Sequence, residues 1–248
     1  MPSLPSYIET ANIADRNLRF AWDDSNTQVV EGETDDGLVE RLSLFTQRAN
    51  VAYATALTGW VLGRFQTFSG LENVYHYFEA SWATAIDLRY CRVVWEDFPH
   101  SEKWEDAVKG PVWLAMRRLQ QTIGSLVEEG DPEYTASKLW QIACHVMPSP
   151  EALGKLEAWN RMILTRMERL PPRVASDLLG DVVPVEFFDT TFDVFLADTE
   201  AIVDQHLKAL SPVANPFLNT PERMIEEGFI GIPYTFNLAL DRERRVLR

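Results

Sequence analysis

Three short motifs mark the starts of helices, and they restrict the fold of this 248-residue chain more than any other feature. Each motif has a capping residue, a proline and an acid in succession. The capping oxygen accepts a hydrogen bond from a free backbone N–H, proline loses no hydrogen bond at the first helical position, and the helix dipole stabilises the acid. Three such starts predict an all-α fold. The motifs are Asp131-Pro132-Glu133, Ser149-Pro150-Glu151 and Thr220-Pro221-Glu222.

The spacing of apolar residues supports the same fold class. Between Leu38 and Trp60, apolar residues recur every three or four positions, as they do on one face of a helix. Brief connections between the segments are typical of a helical bundle. We therefore predict one domain, residues 1–248, built as a multi-helix bundle of about seven to nine helices. The other predicted helices span 71–94, 101–129 with a break at Gly110-Pro111, 132–147, 150–170, 173–179, 186–210 and 221–227.

Three segments lack the pattern of a helix. Residues 1–6 are predicted to be disordered, residues 22–37 to form an acidic loop, and residues 229–248 to form an extended tail. The tail is apolar as far as Leu240, so it is predicted to pack across the bundle. Two contacts are open for its basic end, which could pack against the acidic loop or bind another chain. The basic residues are Arg242, Arg244, Arg245 and Arg248.

The composition is that of a cytoplasmic protein with no membrane attachment. Cys91 and Cys144 are the two cysteines, and a chain of this length needs no disulfide, so a reducing compartment is expected. The N-terminus has neither the basic nor the apolar region of a secretory signal. The most apolar run, residues 51–63, is too short to span about 30 Å of hydrocarbon.

The net charge of −14 is concentrated in two segments. Seven acids and no lysine or arginine lie between Trp22 and Glu40, and seven acids with one lysine lie between Asp181 and Leu210. Negative potential as localised as this attracts basic partners and repels nucleic acid. We predict that these segments bind a partner, with two tryptophans as exposed aromatic anchors. The predicted residues are Asp23, Asp24, Asp35, Asp36, Asp189, Asp193, Glu200 and Asp204, with Trp22 and Trp95 as the anchors.

If residues 186–210 form one helix, two pairs of acids share a face of it. Asp189/Asp193 and Glu200/Asp204 are each four residues apart, which places them side by side. An adjacent stripe that ends at His206 is interpreted as a core seam. The row of acids has three open interpretations: a face that is solvated or bridged to nearby arginines, a surface for a basic partner, and a site for a divalent cation. The nearby arginines are Arg161, Arg166, Arg169 and Arg173.

Known catalytic motifs are absent from the sequence, which has no nucleophile elbow, P-loop or dinucleotide-binding glycine pattern. The best candidate metal ligands are Glu72, His76 and Glu79, which share one helix face and could be joined by Asp189 and Asp193. The Glu-x-x-His spacing of di-iron bundles does not occur on a predicted helix. We therefore predict no cofactor.

Two functions remain open at this point. The preferred one is a non-catalytic acidic protein that binds a basic protein partner, as an inhibitor or immunity-type factor or as a subunit of a larger assembly. It involves no direct contact with nucleic acid. The alternative is an all-α enzyme with a carboxylate and histidine divalent-metal site in an aromatic-lined pocket.

Overall fold

A computed structural model describes residues 4–22, 34–92, 106–127 and 130–246. Within these ranges the chain is helical and has no β-strand, so the predicted all-α bundle is confirmed. The same ranges contain two short 3₁₀ helices, Leu88–Tyr90 and Val185–Phe188. Their ten α-helices, numbered in chain order, are α1 (Ser6–Ala11), α2 (Asp36–Leu42), α3 (Gln47–Phe65), α4 (Glu72–Thr84), α5 (Lys109–Gly124), α6 (Pro132–Val146), α7 (Pro150–Met167), α8 (Thr199–Ala209), α9 (Pro221–Glu226) and α10 (Leu238–Val246).

Helix α3 lies at the centre of the bundle. Every residue from Arg48 to Phe65 is buried, because other parts of the protein cover this helix on all sides. It packs against α1, α4, α5 and α6. Its glycines allow close approach, because a Cβ added at Gly63 would lie 2.2 Å from Cγ2 of Ile8 on α1. The small residues of α3 therefore let its neighbours surround it.

A buried ion pair joins α3 to α10. The guanidinium of Arg48 donates two hydrogen bonds of 2.8 Å to the carboxylate of Asp241, and it also donates to the backbone carbonyls of Ile86 and Gly180. Both charged side chains are almost completely buried. A charge in this setting needs the paired, fully hydrogen-bonded geometry found here.

The prediction of an extended tail over residues 229–248 is wrong for its second half, because Leu238–Val246 form helix α10. The missed signal is Asn237, whose side chain accepts from the N–H of Leu240 and caps α10. The predicted disorder of residues 1–6 is also wrong where the structure describes them, because Leu4 is buried and Ser6 begins α1. Residues 1–3 lie outside the described ranges.

The predicted helix 186–210 is wrong in its first half. After the 3₁₀ helix Val185–Phe188, the chain is irregular until α8 begins at Thr199. Arg166 on α7 is the physical reason, because its guanidinium donates hydrogen bonds to backbone carbonyls that would otherwise accept hydrogen bonds within a helix. It donates to the backbone carbonyls of Phe187, Asp189, Thr190 and Phe192.

Two further helix predictions also differ from the structure. The segment 38–60 is divided between α2 and α3. Residues 173–179 form a turn rather than a helix, because the Asp177 carboxylate accepts from the N–H of Gly180 and the N–H of Arg173 donates to the Leu44 carbonyl. The Asp177 bond is a local side-chain bond of the kind that competes with helix formation. No helix in the described ranges is long and apolar enough to cross a membrane.

Candidate functional site

An open groove of about 520 Å³ lies between α8 and residues 231–240. Helix α8 and its N-cap contribute carboxylates to it, and the segment 231–240 contributes apolar side chains. We call this surface the acidic groove and define it by Asp198, Glu200, Asp204, Lys208, Ile232, Phe236 and Leu240. It contains two of the predicted partner-binding residues, Glu200 and Asp204.

The backbone of α8 positions the acids of the groove. Asp198 is the N-cap, and its Oδ1 accepts from the N–H of Ala201 at 3.1 Å. Glu200 follows in the first turn, where the helix dipole stabilises its charge. The three carboxylates and the one ammonium group of Lys208 leave two negative charges in the groove.

Asp204 joins the two sides of the groove. Its Oδ2 accepts from Lys208 Nζ, and its Oδ1 accepts from the backbone N–H of Phe236 at 3.0 Å. These two hydrogen bonds hold the pKa of Asp204 below its ordinary value, with Lys208 as the larger cause. Asp204 therefore stays ionised, and it fixes residue 236 against α8.

The other predicted pair on this segment, Asp189 and Asp193, does not share a helix face. The Asp189 carboxylate accepts from the Ser6 hydroxyl at 2.6 Å and from the N–H and hydroxyl of Thr191. Burial alone would raise the pKa of Asp189, but these hydrogen bonds hold it below its ordinary value. Asp193 is exposed and accepts from the N–H of Phe195. The predicted continuous row of acids is therefore wrong.

The first acidic segment is described only in part. Asp35 is the N-cap of α2 and accepts from the N–H of Leu38, whereas Asp36 is exposed in the first turn. Trp22 is only 8% exposed and lies against the ring of His145, so it is not the exposed anchor that we predicted. Asp23, Asp24 and Trp95 lie outside the described residues.

The arginines near the acidic segment make other contacts. Besides the carbonyl bonds of Arg166, Arg169 lies over the ring of Phe195, and Arg173 pairs with Glu133. At the C-terminal end, Arg245 forms ion pairs with Asp177 and Asp181 at 2.8 and 2.6 Å. Among the described ion pairs, Asp181 and Asp204 are therefore the acids of the second segment with a cationic partner.

The candidate metal ligands on α4 are not brought together as a site. Glu79 Oε2 accepts from Asn215 Nδ2 at 2.8 Å, and the same amide group donates to the backbone carbonyl of His76. Glu72 is exposed to solvent. Over the ranges that the structure describes, no group of three His, Cys, Asp or Glu side chains could hold a metal ion.

The cysteines are unsuited to nucleophilic catalysis. Burial raises the pKa of both Cys91 and Cys144 to about 12. A thiol at such a pKa is protonated at neutral pH, and the thiolate is the reactive form.

A second, smaller cavity of about 240 Å³ lies where α4, the 3₁₀ helix Val185–Phe188 and α8 meet. We call it the aromatic pocket and define it by Phe78, Glu79, Trp82, Glu186 and His206. Burial lowers the pKa of His206 to about 4, so its imidazole is neutral. Burial, with a smaller contribution from the charge of Asp189, raises the pKa of Glu186.

No family model matches this chain, and no curated protein or solved structure is significantly similar to it. The function proposed below therefore depends on the geometry and charge of its own surfaces.

Proposed function

We propose that this protein is a non-catalytic binding protein whose acidic groove holds a basic, extended segment of a protein partner. It acts as an inhibitor or immunity-type factor, or as a subunit of a larger assembly. The observation that supports this proposal is the placement of Asp198, Glu200 and Asp204 around one open groove that also presents apolar side chains.

The two kinds of side chain suit the two parts of lysine and arginine. Carboxylates form charge-assisted hydrogen bonds with ammonium and guanidinium groups. Apolar side chains contact the methylene stems that carry those groups. Ile232 is 72% exposed within the groove, and an exposed apolar side chain beside acids is suited to such a stem.

Electrostatics favour the same class of partner. The acidic segment around α8 steers a basic surface towards the groove and disfavours acidic surfaces and nucleic acid. Glu200 has no ion-pair partner among the described residues, and Asp204 is paired with the exposed Lys208, which an incoming arginine can displace. The groove can therefore accept a cation without breaking a buried contact.

A labelled peptide of alternating lysine and leucine tests the proposal by fluorescence anisotropy. Replacing Asp198→Asn and Glu200→Gln together keeps the shape of the groove and a cap on α8 but removes two charges. We expect the peptide to bind about tenfold more weakly, since each exposed charge pair contributes up to about 1 kcal/mol.

The matched control variant carries Glu157→Gln and Glu226→Gln, which remove the same charge from exposed positions on α7 and α9. We expect it to retain the affinity of the unaltered protein to within about twofold. Equal weakening in both variants would show that the peptide responds to net charge alone. That result would contradict the proposal that the peptide binds in the acidic groove.

A further inference from the structure

We propose that the aromatic pocket is a second binding site, which takes a small organic ammonium ion. It lies between α4, the 3₁₀ helix and α8, and it shares no lining residue with the acidic groove. This inference does not rest on the proposed protein partner. Its volume of about 240 Å³ is slightly below the range of about 300–1,000 Å³ that is typical of ligand sites, so the ligand is small.

The first observation is a group of polar atoms without partners. In the described part of the chain, Trp82 Nε1, Glu186 Oε2 and His206 Nε2 are all buried and form no hydrogen bond. All three side chains line the pocket, and that of Trp82 is only 4% exposed. Buried polar groups in folded proteins are nearly always hydrogen-bonded, and each exception calls for an explanation. A ligand that carries N–H groups satisfies the two acceptors among them, Glu186 Oε2 and His206 Nε2 in its unprotonated form, whereas the Trp82 N–H is itself a donor and is not satisfied by an ammonium ion.

The second observation is the charge of the pocket. The described residues that line it include the carboxylates of Glu79 and Glu186 and no lysine or arginine. An anionic ligand would be repelled, whereas a cation would be attracted by both groups. Asn215 holds Glu79 in place through a hydrogen bond of 2.8 Å, so this carboxylate does not have to be ordered when the ligand binds.

The third observation distinguishes an organic cation from a metal ion. Phe78 and Trp82 form an aromatic wall, and their ring centroids lie 6.2 Å apart with the planes at 76°. Aromatic faces attract organic ammonium ions and contact their alkyl groups. The acids of the pocket do not belong to any group of three metal-binding side chains in the described ranges. Carboxylates beside aromatic rings therefore favour an alkylammonium ion.

The 3₁₀ helix that carries Glu186 is held from outside the pocket. Arg166 donates to the carbonyls of Phe187 and Asp189, the residues that follow Glu186. The position of Glu186 is thus fixed before a ligand arrives, and a preorganised site binds more tightly than one that must be ordered.

Butylammonium chloride is a suitable probe, and the indole N–H signal of Trp82 in the NMR spectrum is a suitable readout. The variant Trp82→Phe identifies that signal by its loss. We expect butylammonium to shift the Trp82 signal in a saturable way and 1-butanol, of nearly the same size, to bind at least about tenfold more weakly. Sodium chloride at the same ionic strength should leave the signal in place.

Variants then locate the charge that is needed. Glu186→Gln and, separately, Glu79→Gln should each weaken butylammonium binding about tenfold. Glu200→Gln removes the same charge from the acidic groove and should leave the affinity unchanged.

Three results would overturn the proposal: equal binding of 1-butanol, a shift that sodium or magnesium ions reproduce, or equal weakening by Glu200→Gln. The comparison of butylammonium with 1-butanol uses the unaltered protein, so it remains decisive even if a variant fails to fold.

Discussion

The buried imidazole of His206 is expected to make the protein less stable as the pH falls from 6.5 to 4. Its pKa is about 4 in the folded protein, compared with an ordinary value of 6.5. Burial is the cause, because it disfavours the charged form. In this pH range the unfolded chain binds a proton at His206 and the folded protein does not, so the free energy of unfolding decreases with falling pH.

The size of the effect follows from the difference between the two pKa values. One pKa unit corresponds to about 1.4 kcal/mol, so the full difference is about 3 kcal/mol. This contribution of about 3 kcal/mol to the free energy of unfolding, at about 1.4 kcal/mol per pKa unit, is fully present above pH 6.5 and is lost by about pH 4. Glu186, in the same pocket, acts in the opposite direction. Its raised pKa lets the folded protein bind a proton before the unfolded chain does, so part of the loss is offset in the unaltered protein.

Comparison with a variant isolates the contribution of His206. Urea unfolding of the unaltered protein and of His206→Gln between pH 7 and pH 4 gives the two free energies at each pH. We expect their difference to change by about 3 kcal/mol across this range, in the direction that favours the variant at low pH. A matched His76→Gln variant on α4 should keep the steep pH dependence, because it retains His206. Parallel curves for the unaltered protein and His206→Gln would refute the reasoning.

Two further substitutions test how the bundle is held together, and urea unfolding measures both. Asp241→Asn leaves the buried guanidinium of Arg48 without its counter-charge, and we expect a loss of about 3–5 kcal/mol. Replacing Arg48→Met in the same chain should restore part of that loss; no recovery would show that the ion pair is not its source. Gly180→Ala places a Cβ 2.3 Å from Cγ2 of Thr46 at a φ of 75° and should cost more than about 1 kcal/mol. Gly70→Ala, at a φ of 81° with open space around it, should cost less, and equal losses would contradict the steric account.

Local signals in the sequence predicted the helix starts well. The three motifs with proline at the first helical position begin α6, α7 and α9, as predicted. Ser149 and Thr220 accept the capping hydrogen bonds from Ala152 and Arg223. These signals depend on residues within a single turn, so the sequence alone contains them.

Interactions between distant residues account for the incorrect prediction over residues 186–198, whereas the local bonds made by Asn237 and Asp177 account for those at α10 and at residues 173–179. The segment 186–198 has apolar spacing that suits a helix, but Arg166 binds its carbonyls from another helix. No local pattern could reveal that contact. The aromatic pocket was missed for the same reason, because Trp82, Glu186 and His206 come from three separate segments. Glu200 and Asp204 lie on one helix as predicted, because four-residue spacing is a local property, and their role in binding a partner stays a prediction.

The pairing of Arg48 with Asp241 has a consequence for how the molecule opens. The two residues are 193 positions apart, so the contact closes a very long loop and is expected to form late in folding. Detaching α10 removes the counter-charge of Arg48, and the backbone carbonyls of Ile86 and Gly180 cannot by themselves stabilise a buried cation. Departure of this peripheral helix should therefore admit water to the centre of the protein, and amide protons of α3 and α10 should exchange with solvent in a single cooperative event.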